Sequence, residues 1–410
     1  MAITSREGAR ESEAMEVLAH TQVARGATWL LLGAFAALLG FVVVTQPLLG
    51  RPPKAAAAPA PAIEATAARP PAKAPKGVWQ RLRNPPEAET LRRFERQLEE
   101  KTAIGRWVRP AMQRLLLRLH QGSGNVVTGQ SNWLFYRKDV DHLLGHPFLA
   151  PDRLKLRGRR EAEEGGRVQP DPVRSISAFA ERLAARNVRL VVLPVPVKAS
   201  IYPEDLSPAT NAGVENASYG ELLARLRAAN VPVVDLLPAL TRAKASGPEL
   251  YSRRDTHWNA YGIAVAGQLL VPMLKPALAG TPSQAFTSEL LKMPSPGDLD
   301  GLLKLPAPPE LVTCNQVRDA NGAPFQPKEG APVALLGDSF STVCTGPQIG
   351  GGFAAYLAHQ LNVDVDLVAS AGGGSSDSRI AFESQPARFA NTRVVVWEFV
   401  TRSLTFGNWR

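Results

Sequence analysis

Three residues of this chain have types and spacing suited to acyl transfer: Ser339 in "LLGDSFS", and Asp255 and His257 in "RRDTHWNAYG". A serine hydroxyl is a weak nucleophile at neutral pH and needs an adjacent base. Histidine serves as that base when a carboxylate fixes its tautomer and steadies the imidazolium. Asp255 and His257 stand two apart, so an extended backbone would project both to the same side. Gly337-Asp338-Ser339 closes an apolar run, which predicts a strand that stops and turns sharply. A serine there exposes its hydroxyl, and neighbouring N–H groups are free to hold an oxyanion. Each part alone has an ordinary use, since Gly-Asp-Ser also makes turns and Asp255 could cap a following helix. The combination points to chemistry.

Another constellation competes with it. "DVDHLLGH" holds Asp139, Asp141, His142 and His146, with the two histidines four apart as zinc ligands on a helix would be. Gly145 and Pro147 weaken such a helix, and no third ligand follows at the usual spacing. A polar surface loop is expected there, and no metal site. Cys314 and Cys344 are the two cysteines. A bridge between them would close a loop of about 30 residues and contribute roughly 3–4 kcal/mol on the chain-entropy model. Two unrelated buried thiols fit the sequence equally well, so the pairing stays open.

The elements that must position these residues follow an alternating pattern. "VRLVVLPV" (188–195), "VPVVDLL" (231–237), "PVALLGDS" (332–339), "VDVDLVA" (363–369) and "RVVVWEF" (393–399) are β-branched apolar runs. Such runs predict strands buried on both faces. Helical segments over 174–187, 218–230 and 260–275 separate them, the second with Ser218 and Glu221 at capping-box spacing. Alternation of this kind predicts a parallel sheet covered on both sides, with the active site outside the carboxyl ends of the strands. The fold class expected is α/β.

Ahead of that region the composition changes. Residues 27–44 carry no charge over 18 positions, just enough to cross a bilayer as a helix. A cleaved signal peptide is the other reading, though its apolar core is usually shorter, about 7–15 residues. We expect residues 1–26 to be a cytoplasmic N-terminus, 27–44 an anchor, 45–76 a Pro/Ala-rich linker, 77–120 a basic helical segment and 121–410 the catalytic domain. Arg10 and Arg25 before the span balance Arg51 and Lys54 after it, so the positive-inside rule leaves orientation undecided. The net charge of +10 is concentrated, because residues 51–120 hold 15 Lys/Arg against 6 Asp/Glu. A basic stretch beside a membrane suits anionic head groups, an acidic partner or a solvated tether. The near-neutral remainder does not demand a polyanion, and no nucleic-acid motif occurs.

Six motifs resemble those of bacterial alginate O-acetyltransferases of the AlgX/AlgJ type, which carry an SGNH-hydrolase-like domain. They are "GQSNWLFYRKDV" (129–140), "LPVPVKASIYPEDL" (193–206), "DTHWNAYG" (255–262), "GDSFS" (337–341), "SAGGGSSD" (370–377) and "VVVWEFVTRSL" (394–404). They occur in the family's order across about two thirds of the chain. The last motif lies near the end of the sequence, so the additional carbohydrate-binding module of AlgX-type members is not expected and the resemblance is more to AlgJ.

The resemblance implies a three-layer α/β/α domain, anchored in the inner membrane and facing the periplasm. It implies acetylation of an exported polysaccharide such as alginate or cellulose. No cofactor is expected, because a membrane-bound O-acyltransferase partner would deliver the acetyl group. Ser339 would carry the acetyl, with His257 as base and Asp255 orienting it. Arg402 of "TRSL" matches a family arginine and is a candidate to face substrate, together with Trp258 and Asn259. Ordinary SGNH hydrolases place their serine first and use Asp-x-x-His. Here Asp-x-His precedes the serine, and no asparagine marks the oxyanion hole. The Ser339 amide with Gly372 or Gly373 is expected to supply it. A carbohydrate acetyl-esterase and a non-catalytic polysaccharide-binding or recruitment subunit are the alternatives.

Overall fold

The computed structural model describes residues 123–163, 169–207, 213–303, 308–372, 375–407 and 409. The expected cytoplasmic tail, anchor, linker and basic helical segment, residues 1–120, lie outside the described residues.

Eight strands follow in chain order: β1 (Val126–Thr128), β2 (Leu134–Tyr136), β3 (Arg189–Val195), β4 (Phe286–Ser295), β5 (Glu310–Asp319), β6 (Val333–Gly337), β7 (Val365–Ala369) and β8 (Val394–Val400). β1 pairs with β2 and β4 with β5, both antiparallel. The remaining four form one parallel sheet in the order β3-β8-β6-β7. β8 joins the sheet interior although it comes last in the chain, and all seven of its residues are buried. That burial explains its run of valines and aromatics, since both faces must be apolar.

Alternate residues of the sheet feed two cores. Val191, Leu335 and Val396 pack on one face with Ile263 and Leu270 of helix Ala260–Leu274 and Phe353 and Leu357 of helix Gly352–Leu361. Val192, Leu336 and Trp397 pack on the other with Ile176 and Phe179 of helix Pro172–Ala184, and with Leu222 of helix Tyr219–Ala228. The result is a three-layer α/β/α architecture. The apolar stretch Ala260–Leu278 is long enough to cross a membrane. Instead, Ile263, Ala266, Leu270 and Leu274 are buried in the first core, which accounts for its composition.

Two local expectations are corrected. Residues 231–237 form only a single bridge, Val192 to Val233, at the sheet edge. Pro232 has no N–H to extend a ladder. Asp235 then accepts from the Leu237 amide at 3.2 Å as the chain turns into helix Leu237–Ser246. The capping box also fails to form. The Ser218 hydroxyl accepts from the Leu149 amide at 3.0 Å instead, tying helix Tyr219–Ala228 to a distant segment. Glu221 pairs with Arg225 one turn on.

Candidate active site

The loop that presents Asp255 and His257 is pinched at its base by an antiparallel bridge between Tyr251 and Trp258. The backbone between them turns, so the two side chains do not meet through extended geometry. They meet because Asp255 Oδ1 accepts from both the His257 amide, at 2.9 Å, and the ring Nδ1, at 2.5 Å. Asp255 Oδ2 accepts from the Asp298 amide at 3.1 Å. The Asp298 carboxylate in turn accepts from the Thr256 amide at 2.8 Å and the Thr256 hydroxyl at 2.5 Å. With Nδ1 donating to Asp255, the free position of the ring is Nε2. That nitrogen is buried and has no partner among the described residues.

Sequence reading did not find three groups that hold this loop. Lys198 is fully buried and donates to the carbonyls of Ser252, Arg253 and Asp255 at 3.0, 3.0 and 2.6 Å. Its ammonium also lies over the rings of Trp133 and Phe135 at 5.6 and 5.3 Å. Glu310 accepts from the Arg253 and Arg254 amides, both at 3.2 Å. Asp298 completes the set. The sequence signal was faint: a lysine placed inside the apolar run "LPVPVKASIY", whose charge demands dedicated partners once buried.

Ser339 lies just past the carboxyl end of β6, opening a 3₁₀ turn, Ser339–Thr342. Its neighbour Phe340 ties this turn to the histidine loop. The Phe340 ring packs edge-on to His257 with centroids 4.9 Å apart, and its carbonyl accepts from Trp258 Nε1 at 2.9 Å. The start of the 370–372 segment is pinned beside the same turn, with the Ser370 amide donating to the Gly337 carbonyl at 3.1 Å. Gly372 adopts φ +78°; Gly373 lies outside the described residues.

The electrostatics of the pair follow from its burial and its partners. Burial would raise the Asp255 carboxyl, but its bonds with His257 and with the Asp298 amide hold it below the usual carboxylate range. Burial would lower the His257 imidazole, yet Asp255 and Asp298 outweigh it and raise it, against the opposing charge of Arg402. Burial pulls Lys198 down to about 8 despite nearby carboxylates. Asp255, His257 and Asp298 also bring ligand atoms within 4.8 Å of one another. These atoms are engaged with each other and with Thr256, so a cation would have to displace the Asp255–His257 bond.

Arg402 flanks the site. It donates to Asp139 at 2.9 Å and lies over the rings of Tyr136 and Phe340, at 5.3 and 5.5 Å. The other two substrate candidates are corrected. Trp258 is fully buried with its indole N–H spent on Phe340. Asn259 caps helix Ala260–Leu274, accepting from the amides of Tyr261 and Gly262, and donates to the Glu249 carbonyl. Both side chains are buried and their hydrogen bonds serve the fold. The expected surface loop "DVDHLLGH" is corrected as well. It begins as helix Arg137–Leu144, and Asp139 and His142 are buried in it. His142 bonds to Thr405 and Glu215, at 2.7 and 2.8 Å, and His146 contributes its carbonyl to Asn216. Cys314 and Cys344 are joined by a disulfide that ties β5 to the loop following the Ser339–Thr342 turn.

The family model described as SGNH hydrolase-like domain, acetyltransferase AlgX, matches residues 126–401. The chain belongs to that family. It is 31% identical over 305 residues to the probable alginate O-acetylase AlgJ of Pseudomonas putida, covering 70% of this chain and 72% of that one. It is 28% identical over 301 residues to the AlgJ of Pseudomonas aeruginosa, covering 70% and 72%. Among solved structures, the O-acetyltransferase domain of Pseudomonas putida AlgJ is similar at a TM-score of 0.53 and 27% identity. That match covers 69% of this chain and 94% of the domain. The SGNH-like α/β fold and the acyltransferase class therefore hold for this chain.

Proposed function

We propose that this protein transfers acetyl groups onto hydroxyls of an exported bacterial polysaccharide through an acetyl-Ser339 intermediate. One observation carries the reading: a His257 whose Nδ1 is held by Asp255 and whose buried Nε2 is unpartnered among the described residues, packed on the residue that follows a half-buried serine at the carboxyl end of β6. His257 Nε2 takes the proton from Ser339 Oγ as Oγ attacks the acetyl carbonyl, and the imidazolium returns that proton to the departing group. A sugar hydroxyl then gives its proton to Nε2, bonds the acetyl carbon and releases Ser339, which recovers the proton. Asp255 steadies the imidazolium in both halves. The Ser339 amide, with the 370–372 segment pinned beside it, would hold the developing oxyanion. Arg402 flanks the substrate side. No cofactor is required by these steps.

The names of the AlgJ relatives support alginate as the acceptor class, and cellulose is the other acceptor we retain. The Cys314–Cys344 disulfide fits an oxidising compartment, and residues 27–44 fit an inner-membrane anchor that leaves this domain in the periplasm. A membrane-bound O-acyltransferase partner would supply the acetyl group there.

The test uses the purified protein with an activated acetyl ester, with and without oligosaccharide, beside Ser339→Ala. Acetyl-sugar formation that disappears in the variant is expected. Rapid release of acetate to water with no sugar acetylation would instead make it an esterase, and equal inactivity of both proteins would leave a non-catalytic subunit.

A further inference from the structure

Two buried carboxyls behind the nucleophile turn, Asp338 and Glu398, take no part in the acyl-transfer steps above. Asp338 Oδ1 accepts from the Phe340 amide at 2.8 Å, and its Oδ2 accepts from the Val400 amide at 3.0 Å. Glu398 projects from β8, and its Oε2 accepts from the Asp338 amide at 3.2 Å and from the Ser341 hydroxyl at 2.6 Å. The Ser341 amide donates to the Asp338 carbonyl at 3.2 Å. Of the four amides from 338 to 341, three are thus occupied. Among the described residues the fourth, on Ser339, has no acceptor, and the Ser339 hydroxyl has no partner.

The arrangement depends on close approach. A Cβ on Gly337 would fall 2.1 Å from Ser341 Oγ and 2.8 Å from Glu398 Oε2, so glycine is what admits the carboxyl behind the turn. Glu398 is also unusual in its surroundings. Its Oε1 is buried without a hydrogen-bond partner among the described residues. An ionised carboxylate there would be costly, because a dry and unpaired oxygen would carry charge. Burial, reinforced by the neighbouring Asp338 charge, pushes Glu398 well above the usual carboxylate range. The neutral acid is the form that suits this site.

We propose that Asp338 and Glu398 are positioning residues for Ser339: together with the turn they engage every neighbouring amide and leave the serine's own N–H and O–H for the substrate. The inference rests on Ser339 being the nucleophile. It also assigns the glutamate of "VVVWEF", on a different strand from the serine, a part in building the oxyanion site. Its action is through the turn, with no contact to the reacting atoms.

Three variants of the full chain test this: Glu398→Gln, Glu398→Leu and Ser341→Ala. Each is checked for folding by circular dichroism and melting, and the rate of Ser339 acylation by an activated acetyl ester is followed by mass spectrometry. Glutamine offers Oε2 an amide oxygen of the same shape without charge, so acylation should stay within about threefold of wild type. Leucine should lower it by roughly a hundredfold, the order of loss expected when a reacting group is misplaced by about 1 Å. Ser341→Ala removes one bond to Glu398 with little change of core volume, and should slow acylation by about tenfold through kcat with KM unchanged.

A glutamine variant as slow as leucine would overturn the role of the neutral acid. Full-speed Ser341→Ala would overturn the positioning role even if Glu398→Leu failed to fold. Wild-type protein that never acquires acetyl on Ser339 would overturn the underlying nucleophile assignment, and the inference with it.

Discussion

His257 and His142 each follow an aspartate by two or three residues, and both are held in polar surroundings within the same domain. Their ring nitrogens are used differently. In His142 both nitrogens are engaged, one with Thr405 and one with Glu215, and the side chain is 0% exposed. Its nearby Asp139 turns to Arg402 instead. In His257 only Nδ1 is engaged, by Asp255, and the side chain keeps 17% exposure. A histidine with two satisfied nitrogens can hold structure but has no site to accept a proton in a reaction. One with a fixed Nδ1 and an open Nε2 is built to move a proton. Residue type and spacing alone do not separate the two.

The sharpest way to break this comparison is to remove each histidine in turn. His257→Ala should lower acetyl transfer by roughly 10⁴–10⁶-fold, the order of loss on removing a triad member, while the melting temperature stays near wild type. Retention of a tenth of the activity in a coupled acetyl-sugar assay would sink the assignment. His142→Leu should do the opposite. It removes one buried hydrogen bond from Glu215, which keeps Ser200, Thr401 and the Asn216 amide as donors, and should cost roughly 1–3 kcal/mol, measured by urea unfolding. Turnover per folded molecule, from active-site titration, should not change.

Lys198→Met probes the support of the His257 loop rather than its chemistry. Losing three carbonyl contacts should let Asp255 drift and cut kcat by about 10–100-fold. If kcat is unchanged while stability falls, the lysine serves the core alone. The smallest effect concerns pH. His257 must be neutral to accept the serine proton, and its surroundings raise its pKa. The rising limb of the acylation profile should therefore lie above the ordinary imidazole value of about 6.5. Asp255→Asn removes the main cause of that rise and should move the limb to lower pH, along with the fall in rate. A limb that stays in place in this variant would detach His257 from the profile.

Much of the fold could be read from local pattern. Four of five expected strands form the parallel sheet, because a run such as "VVVWEF" tolerates burial on both faces and little else. The fifth failed on a single residue, Pro232, whose missing N–H limited it to one bridge. Trp258 and Asn259 read from sequence as substrate contacts because polar and aromatic types beside a histidine suit substrate or structure equally. Asn259 proved to be the cap of the following helix, and Trp258 an anchor for Phe340.

The residue types in "GDSFS" and "DTHWN", and their position at breaks in the apolar pattern, single out Ser339, His257 and Asp255 as candidates for one chemical unit. Periodicity was enough to place that unit on an α/β domain. Both are properties of nearest neighbours in the chain, where side-chain direction and strand propensity act. Which histidine keeps an open nitrogen was decided by contacts across the fold, from Thr405 and Glu215 to His142. So was the supply of Lys198, Asp298 and Glu398 to loops far from them in sequence. A buried polar group is satisfied by whatever the packing brings to it, and that is a property of the tertiary structure.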